Sequence, residues 1–404
     1  MRSSLNIKGQ SQESFHKICV VGGGITGAMM VLLLKNSNMF NLNDIGWVKP
    51  SLKSKNDFRT TFYNETSLKL LNDLNIFNKL KKNDYTSVKD IKVFGPNHIP
   101  PLEWDYFDTK KIFGAVINND IVLSIIEEQL KDIKQYNSFV NNTKCNKFER
   151  TLYLENKTFI NTHLVLSADG KNSYLRKLLS INTISKNTNH VAISGFLEQS
   201  RNHNSTAIQA FTNIGPIGIL PYKNKNLVNF VQSIEKVECK KILLKEKPEN
   251  FICDELNTFF SHIDLSFTPT KKINNVKDKI SYWDLNLNFV PNPTSSRAIL
   301  IGDAAHSIHP LAGQGLNLSL RDCVSALNAI KNCLKFGNDL GEKSILNLYK
   351  NERLPQTISM TAFTDFMFFG FTSTSNKTQS LFAKGMENLN KTKIKNIFRD
   401  LAST

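Results

Sequence analysis

Nowhere in the 404 residues does an apolar run approach the ~20 residues that a membrane-spanning helix requires. The longest, Ile25 to Leu34, is interrupted by Thr26 and Gly27 and reads as a buried helix. Cysteine is scarce. The six present (Cys19, Cys145, Cys239, Cys253, Cys323, Cys333) show no CxxC spacing and no metal-ligand pairing with histidine. That excludes a disulfide framework and a zinc ribbon, and leaves reduced, mostly buried thiols. The N-terminus, MRSSLNIKGQSQESFHK, lacks the apolar core of a secretory signal. Its serines suggest a transit peptide, but Glu13 and a single arginine favour a flexible tail over residues 1–15. Acidic residues are also few, 35 against 51 Lys and Arg, for a formal charge of +16. The lysines are scattered among asparagines, isoleucines and serines with no Arg-rich block, so no nucleic-acid partner is expected. Attraction to an anionic membrane surface is a milder consequence of the same charge.

With 40% hydrophobic residues, the chain has material for two or three domains with real cores. Its organising stretch runs from Leu300 to Leu327, LIGDAAHSIHPLAGQGLNLSLRDCVSAL. An apolar strand ends there at Gly302-Asp303, an acid at the carboxyl end of a strand, where α/β sheets bind ligands. Pro310 stiffens the loop, Gly313 and Gly315 bare the backbone on either side of Gln314, and a helix begins at about Gln314. Its N-terminus carries partial positive charge, which suits electron-rich atoms of a polar cofactor.

Lys17 to Val21 (KICVV) reads as a strand, and GGGITG follows, fitting GxGxxG at Gly22, Gly24 and Gly27 before a helix. This strand–turn–helix context is what a dinucleotide fold demands. Gly22 makes the tight turn, Gly24 admits a pyrophosphate, and Gly27 lets helix and strand pack closely. An acid should close the next strand, but DIGWV ends in Lys49, which cannot accept a hydrogen bond from a ribose. Arg59 precedes a helix with apolar Leu68, Leu70, Leu71 and Leu74, and is either a phosphate or cofactor-ring contact or simply solvated. An apolar strand ends at Ala168-Asp169-Gly170, and Ser173 caps the helix after it, repeating the acid-plus-glycine logic. From Val191 to Trp283 the chain alternates as β strands, with a helical piece at Glu249 to His262. Further helices are expected at Val324 to Leu334 and at Lys343 to Leu354, the second stopped by Pro355. A Phe/Met-rich stretch (Thr364 to Asn376) and a basic, amphipathic tail close the chain.

The fold expected is α/β with α+β elements: a Rossmann-like cofactor domain, an inserted antiparallel β-sheet substrate domain and a helical C-terminal region. The cofactor domain is discontinuous, 16–185 and 285–355, and contributes short substrate-sheet strands near 90–118. The substrate domain covers 186–284, and the C-terminal region, 356–404, is a candidate for membrane contact.

GxGxxG, ADGxNSxxR (Ala168 to Arg176) and GDAAHxxxPxxGQGxNLxLRD (Gly302 to Asp322) together resemble the FAD-dependent aromatic hydroxylases of the para-hydroxybenzoate hydroxylase class. Four stretches favour the ubiquinone-biosynthesis branch: DFRTTFYNETSLKLLNDLNIF (57–77), FTNIGPIGILP (211–221), HPLAGQGLNLSLRD, and Thr364-Asp365. The likeness covers nearly the whole chain. It implies pyrophosphate contacts from Gly22, Gly24 and Gly27, and an FAD contact from Arg59. It places Asp169 near the pyrophosphates, at a position the class also uses for the nicotinamide donor. Asp303 would hold the ribityl or pyrophosphate region, and Gly313, Gln314, Gly315, Leu316 and Asn317 the flavin's pyrimidine edge. Lys49 is the departure.

The implied activity is monooxygenation of a polyprenylphenol ring through a flavin C4a-hydroperoxide, with O2 as co-substrate and NAD(P)H or a redox partner protein as electron donor. No catalytic acid–base pair is expected, because positioning and water exclusion carry such chemistry. His306 and His309 are given structural or hydrogen-bonding roles, and since the two make a poor metal site no metal is expected. The setting implied is the cytoplasm at the inner membrane, or the matrix side of the mitochondrial inner membrane, within a ubiquinone-biosynthesis complex. Two other readings stand beside this one: a same-class hydroxylase of a small soluble aromatic, and a non-catalytic flavoprotein-like subunit. The WxWxIP stretch of flavin halogenases is absent.

Overall fold

The strand Glu13–Val21 becomes continuously buried over Ile18–Val21, as a strand covered on both faces must. It pairs in parallel with Phe159–Ser167 on one side and Ile45–Val48 on the other. Ala298–Leu300 and Lys134–Tyr136 extend this parallel core. The hairpin Val140–Cys145 and Arg150–Leu154, with Thr294–Ser295, completes an eight-stranded sheet. The computed structural model describes residues 13–50, 59–95, 101–106, 110–212, 214–245, 247–270, 280–372 and 385. The first strand starts at Glu13, inside the expected tail, because Glu13–His16 pair with Phe159–Thr162 on a half-polar stretch that carries no apolar run.

Eight helices are described: α1 (Ile25–Asn36), α2 (Glu65–Asp73), α3 (Asn119–Gln129), α4 (Tyr174–Leu178), α5 (Lys236–Leu243), α6 (Pro248–Phe259), α7 (Gln314–Lys335) and α8 (Lys343–Thr372). Every residue of α1 from Gly27 to Leu34 is buried, because sheet, α3 and α7 cover it from different sides. An apolar helix without a polar face is stable only in such a place.

A nine-stranded sheet runs in the order His306–Ser307, Ile280–Phe289, Ile184–Gln199, Leu227–Glu235, Gly215–Pro221, Thr206–Thr212, Asp90–Phe94, Leu102–Trp104, with Phe267–Pro269 on the side of Ile184–Gln199. Period-two alternation sends Ile217, Ile219 and Phe230 into the core under α5 and α6. Gly218, Leu220 and Val231 face the other way, into a cavity. The expected domain limits at 185/186 and 284/285 cut through two of these strands, Ile184–Gln199 and Ile280–Phe289, which pair with each other. Of the strands near 90–118, Asp90–Phe94 and Leu102–Trp104 join this sheet, whereas Gly114–Asn118 belongs to a separate three-stranded sheet with Thr60–Asn64 and Tyr85–Val88.

Pro355 does not stop a helix. It lies inside α8, which continues to Thr372. Proline removes the hydrogen bond to the carbonyl four residues back. Here both Pro355 and Asn351 are exposed, so water can satisfy that carbonyl. No described helix is long and apolar enough to cross a membrane. Residues 373–376 of the Phe-rich stretch and the basic tail, apart from Gly385, lie outside the described residues. All six cysteines are free, and only Cys145 is exposed.

Candidate active site

The glycine turn is assembled by contacts that admit no side chain. Gly22 has φ +137, and a Cβ there would lie 2.2 Å from the Ala168 carbonyl oxygen. A Cβ on Gly27 would meet the Gly22 carbonyl oxygen at the same 2.2 Å. These two glycines serve packing. Gly24 differs: a Cβ there meets nothing within 4 Å, and the residue lines the cavity as the N-cap of α1. Trp47, fully buried, braces the turn by donating Nε1–H to the Gly22 carbonyl at 2.8 Å. Lys49 follows at the strand's end, with its ammonium paired to Glu127 and 4.5 Å above the Trp47 ring.

The second turn joins the third. Asp169 accepts from Ser167 Oγ at 2.6 Å and from the Leu175 amide at 3.0 Å, so its carboxylate organises the start of α4 and does not line the cavity. Ser173 caps the same helix by accepting from the Arg176 amide. Arg176 then donates to the Ala304 carbonyl at 2.8 Å and to the Lys171 carbonyl at 3.0 Å, tying both turns together.

At the third turn Gly302 adopts φ +60, where a Cβ would crowd Thr26 and Ser319 at about 3 Å. Asp303 projects into the cavity. Water reaches it only through that space, while protein surrounds it, so burial raises its carboxyl pKa; His306, Arg59 and Lys171 pull the other way. No described residue donates a hydrogen bond to this carboxylate. Gly313, at φ +65, caps the 22-residue α7, and Gly313, Gly315 and Leu316 line the cavity. Gln314 and Asn317 are buried outside that lining. Asn317 is a bolt: it donates to the Phe62 carbonyl at 2.8 Å and accepts from the Asn64 amide and Ser67 Oγ.

The cavity measures about 820 Å³, near the upper end of the roughly 300–1,000 Å³ typical of small-molecule sites. It extends from Gly24, Asn119, Asp120 and Leu123 at one pole to Ile91, Ala207, Gln209, Leu220 and Val231 at the other. Of the residues singled out in the sequence, Gly24, Arg59, Asp303, Gly313, Gly315 and Leu316 line it; Gly22, Gly27, Asp169, Gln314 and Asn317 support it from behind. Arg59 sits with its guanidinium 5.5 Å from the Trp283 ring. The wall residues Asn119, Asp120, Lys171, Trp283 and Gln209 were not identified from sequence, since each is one residue of an ordinary strand, turn or helix start.

Both histidines of the third motif have an acid beside them in three dimensions. His306 Nε2 meets Asp322 Oδ2 at 2.6 Å, and Asp322 also accepts from Arg353 Nε at 2.6 Å and the Gly302 amide at 2.8 Å. Burial opposes ionisation of Asp322, but His306 and Arg353 outweigh it and hold the carboxyl below its usual range. His309 is stacked on Phe368, centroids 3.9 Å apart, with Asp365 at 3.5 Å. Desolvation, followed by Lys186 and His190, pushes its pKa down to about 4, so at neutral pH this is not an ion pair.

A histidine kept neutral by folding contributes stability that is complete above its unfolded pKa and lost as pH falls below it. Acidification from about pH 6.5 to 4 should therefore cost on the order of 2–3 kcal/mol at this residue. Urea titrations of His309→Phe across that window should show a correspondingly shallower loss than the parent.

An elongated flavin dinucleotide fits this cradle. Gly24, Gly170 and Gly315 each leave open space where a Cβ would stand, so the backbone can be approached closely along the length of the cavity. Asp303 offers an acceptor without a donor, and α1 and α7 present their N-termini to the same space. The sequence model of the FAD binding domain family matches residues 16–364. The ubiquinone biosynthesis monooxygenase COQ6 of Dictyostelium discoideum is 24% identical, over 96% of this chain and 90% of its own length. Its Caenorhabditis elegans counterpart is 26% identical over 87% and 88%. Among solved structures, Pseudomonas aeruginosa PqsL with 2-aminobenzoylacetate superposes with TM-score 0.75 at 14% identity, over 93% of this chain and all of that one. At that identity the likeness carries the fold alone. Together the family match and the relatives identify the chain as a member of the FAD binding domain family, an FAD-dependent monooxygenase of the aromatic-hydroxylase type.

Proposed function

We propose that the protein hydroxylates the aromatic ring of a polyprenylphenol in ubiquinone biosynthesis, with O2 as co-substrate and electrons from NAD(P)H or a redox partner protein. The observation that carries this reading is one end of the cavity's sheet wall, where Ile91, Ala207, Ile208, Leu220 and Val231 accompany one amide, Gln209, while the polar Asp284 and Asn286 lie on the strand Ile280–Phe289. A soluble aromatic acid would need a cationic clamp there. The cavity's cations, Arg59 beside the Trp283 ring and Lys171 donating to the Asp284 carbonyl, sit at the strand Ile280–Phe289, on the far side of Ile184–Gln199 from these residues, and Arg201 is paired with Asp264 on the surface. An apolar wall with one amide suits a phenol ring bearing a hydrocarbon tail.

When bound, FAD supplies the activation of oxygen; the chain's own residues position and desolvate. Gly24 and the start of α1 would face the pyrophosphate, and Asp303 would accept from a cofactor hydroxyl. The backbone of Gly313 to Leu316, at the positive end of α7, would stabilise negative charge at the ring end. The names of the COQ6 relatives include "mitochondrial"; we place this protein at the matrix side of the inner membrane, in peripheral contact with it and with a biosynthetic complex. Deleting the gene and identifying the accumulating quinone precursor tests the reading. A precursor lacking one ring hydroxyl is the expected result, and unchanged quinone synthesis would refute it.

A further inference from the structure

In dinucleotide folds the second strand ends in an acid that accepts from the adenosine ribose hydroxyls. Here the corresponding residue is Lys49, directly after the strand Ile45–Val48. Its place in the fold is the ordinary one: a Cβ on Gly23 would lie 3.2 Å from Lys49 Cβ, and its amide donates to the Tyr136 carbonyl at 3.0 Å. What changes is the origin of the carboxylate. The Lys49 ammonium is paired with Glu127 on α3, one turn beyond Leu123, which lines the cavity with Gly24. An acid therefore stands beside the glycine turn after all, delivered from a helix instead of from the strand.

We propose that Glu127 is the acceptor for the adenosine ribose hydroxyls of FAD, and that Lys49 is the residue that positions it. This rests on the family's cofactor and not on the identity of the hydroxylated substrate. The lysine end of this pair is braced. Trp47, bound to the Gly22 carbonyl through Nε1, carries the ammonium on its ring face, which holds the lysine end of the pair near the turn. Both side chains keep access to solvent, 20% for Lys49 and 38% for Glu127, so hydroxyls can reach them. The charges of the pair cancel, which favours neutral hydroxyls over a ribose 2′-phosphate. Removing the carboxylate alone frees a lysine to bind that phosphate.

The test is binding to flavin-stripped full-length protein. FAD affinity is read by quenching of flavin fluorescence, and ADP, 2′-deoxy-ADP and adenosine 2′,5′-bisphosphate are used as competitors. Glu127→Gln should weaken FAD by about tenfold. It should also erase the parent's preference for ADP over 2′-deoxy-ADP and improve binding of the bisphosphate. Lys49→Glu combined with Glu127→Gln moves the acid to the strand's end and should recover FAD affinity to within about threefold of the parent. Matching thermal melts of parent and variants exclude loss of fold as the cause. If Glu127→Gln binds FAD as the parent does and keeps the preference for ADP, the assignment is wrong.

Discussion

Asp303→Ala should purify colourless, with FAD affinity reduced by about 100-fold, the upper end of what a charge-assisted hydrogen bond contributes. Gly302, in a left-handed conformation that crowding by Thr26 and Ser319 reserves for glycine, turns this carboxylate into the cavity. Burial raises its pKa, and no described residue donates to it. The apoprotein thus carries an acid that no described residue bonds, met by cavity water until a ligand's donors replace it. The alanine variant should therefore fold as well as the parent, with an apoprotein Tm equal or slightly higher. That combination, lost flavin with undiminished apoprotein stability, separates a binding residue from a structural one. Asp303→Asn, which keeps an acceptor without the charge, should fall between them. An alanine variant that retained full yellow colour would overturn the role.

Asp322→Asn should behave in the opposite sense, losing stability first and cofactor second. One fully buried carboxylate accepts from His306, Arg353 and the Gly302 amide, joining the third motif, α7 and α8. Neutralising it strands Arg353 beside Arg321, whose pKa burial and Arg353 already push down to about 10. Breaking such a buried pair costs about 3–5 kcal/mol, or roughly 4–6 °C in Tm for a protein of this size. The sign with pH follows from the depressed carboxyl: its stabilisation is complete above the unfolded value of about 4 and is lost as pH falls through the lower folded value. Differential scanning calorimetry should show a constant gap between parent and variant above about pH 4 that narrows below it. Because Gly302 is held by the same oxygen, FAD affinity should also weaken, by about tenfold. A variant with parental Tm would show that the network is dispensable.

These two acids were unequally legible in the sequence. Asp303 stands next to a glycine at the end of an apolar run, a local pattern with a local meaning. Asp322 is an unremarkable helical residue until the fold brings His306 and Arg353 to it from 16 residues before and 31 after. The glycine turn divided in the same way. Its place between strand and helix was readable, but only the contacts of Gly22 with Ala168 and of Gly27 with Gly22 show that those two serve packing while Gly24 faces the cavity. Asp169 and Asn317, read as cofactor contacts from their place in the motifs, also hold a helix start and tie α7 to Phe62 and Asn64. A motif shows which residues act together, without saying which of them face the ligand.

By itself, then, the sequence determined the FAD family, the three turns that build the cradle and the helix start at Gln314, because each depends on neighbours a few residues away. Tertiary structure decided the rest. It chose which side of the nine-stranded sheet lines the cavity, because a period-two strand offers either face until α5 and α6 cover one. It carried α8 through Pro355, because only exposure lets water replace the missing hydrogen bond. It also brought Glu127 to Lys49 across 78 residues, where the sequence alone showed only a missing acid.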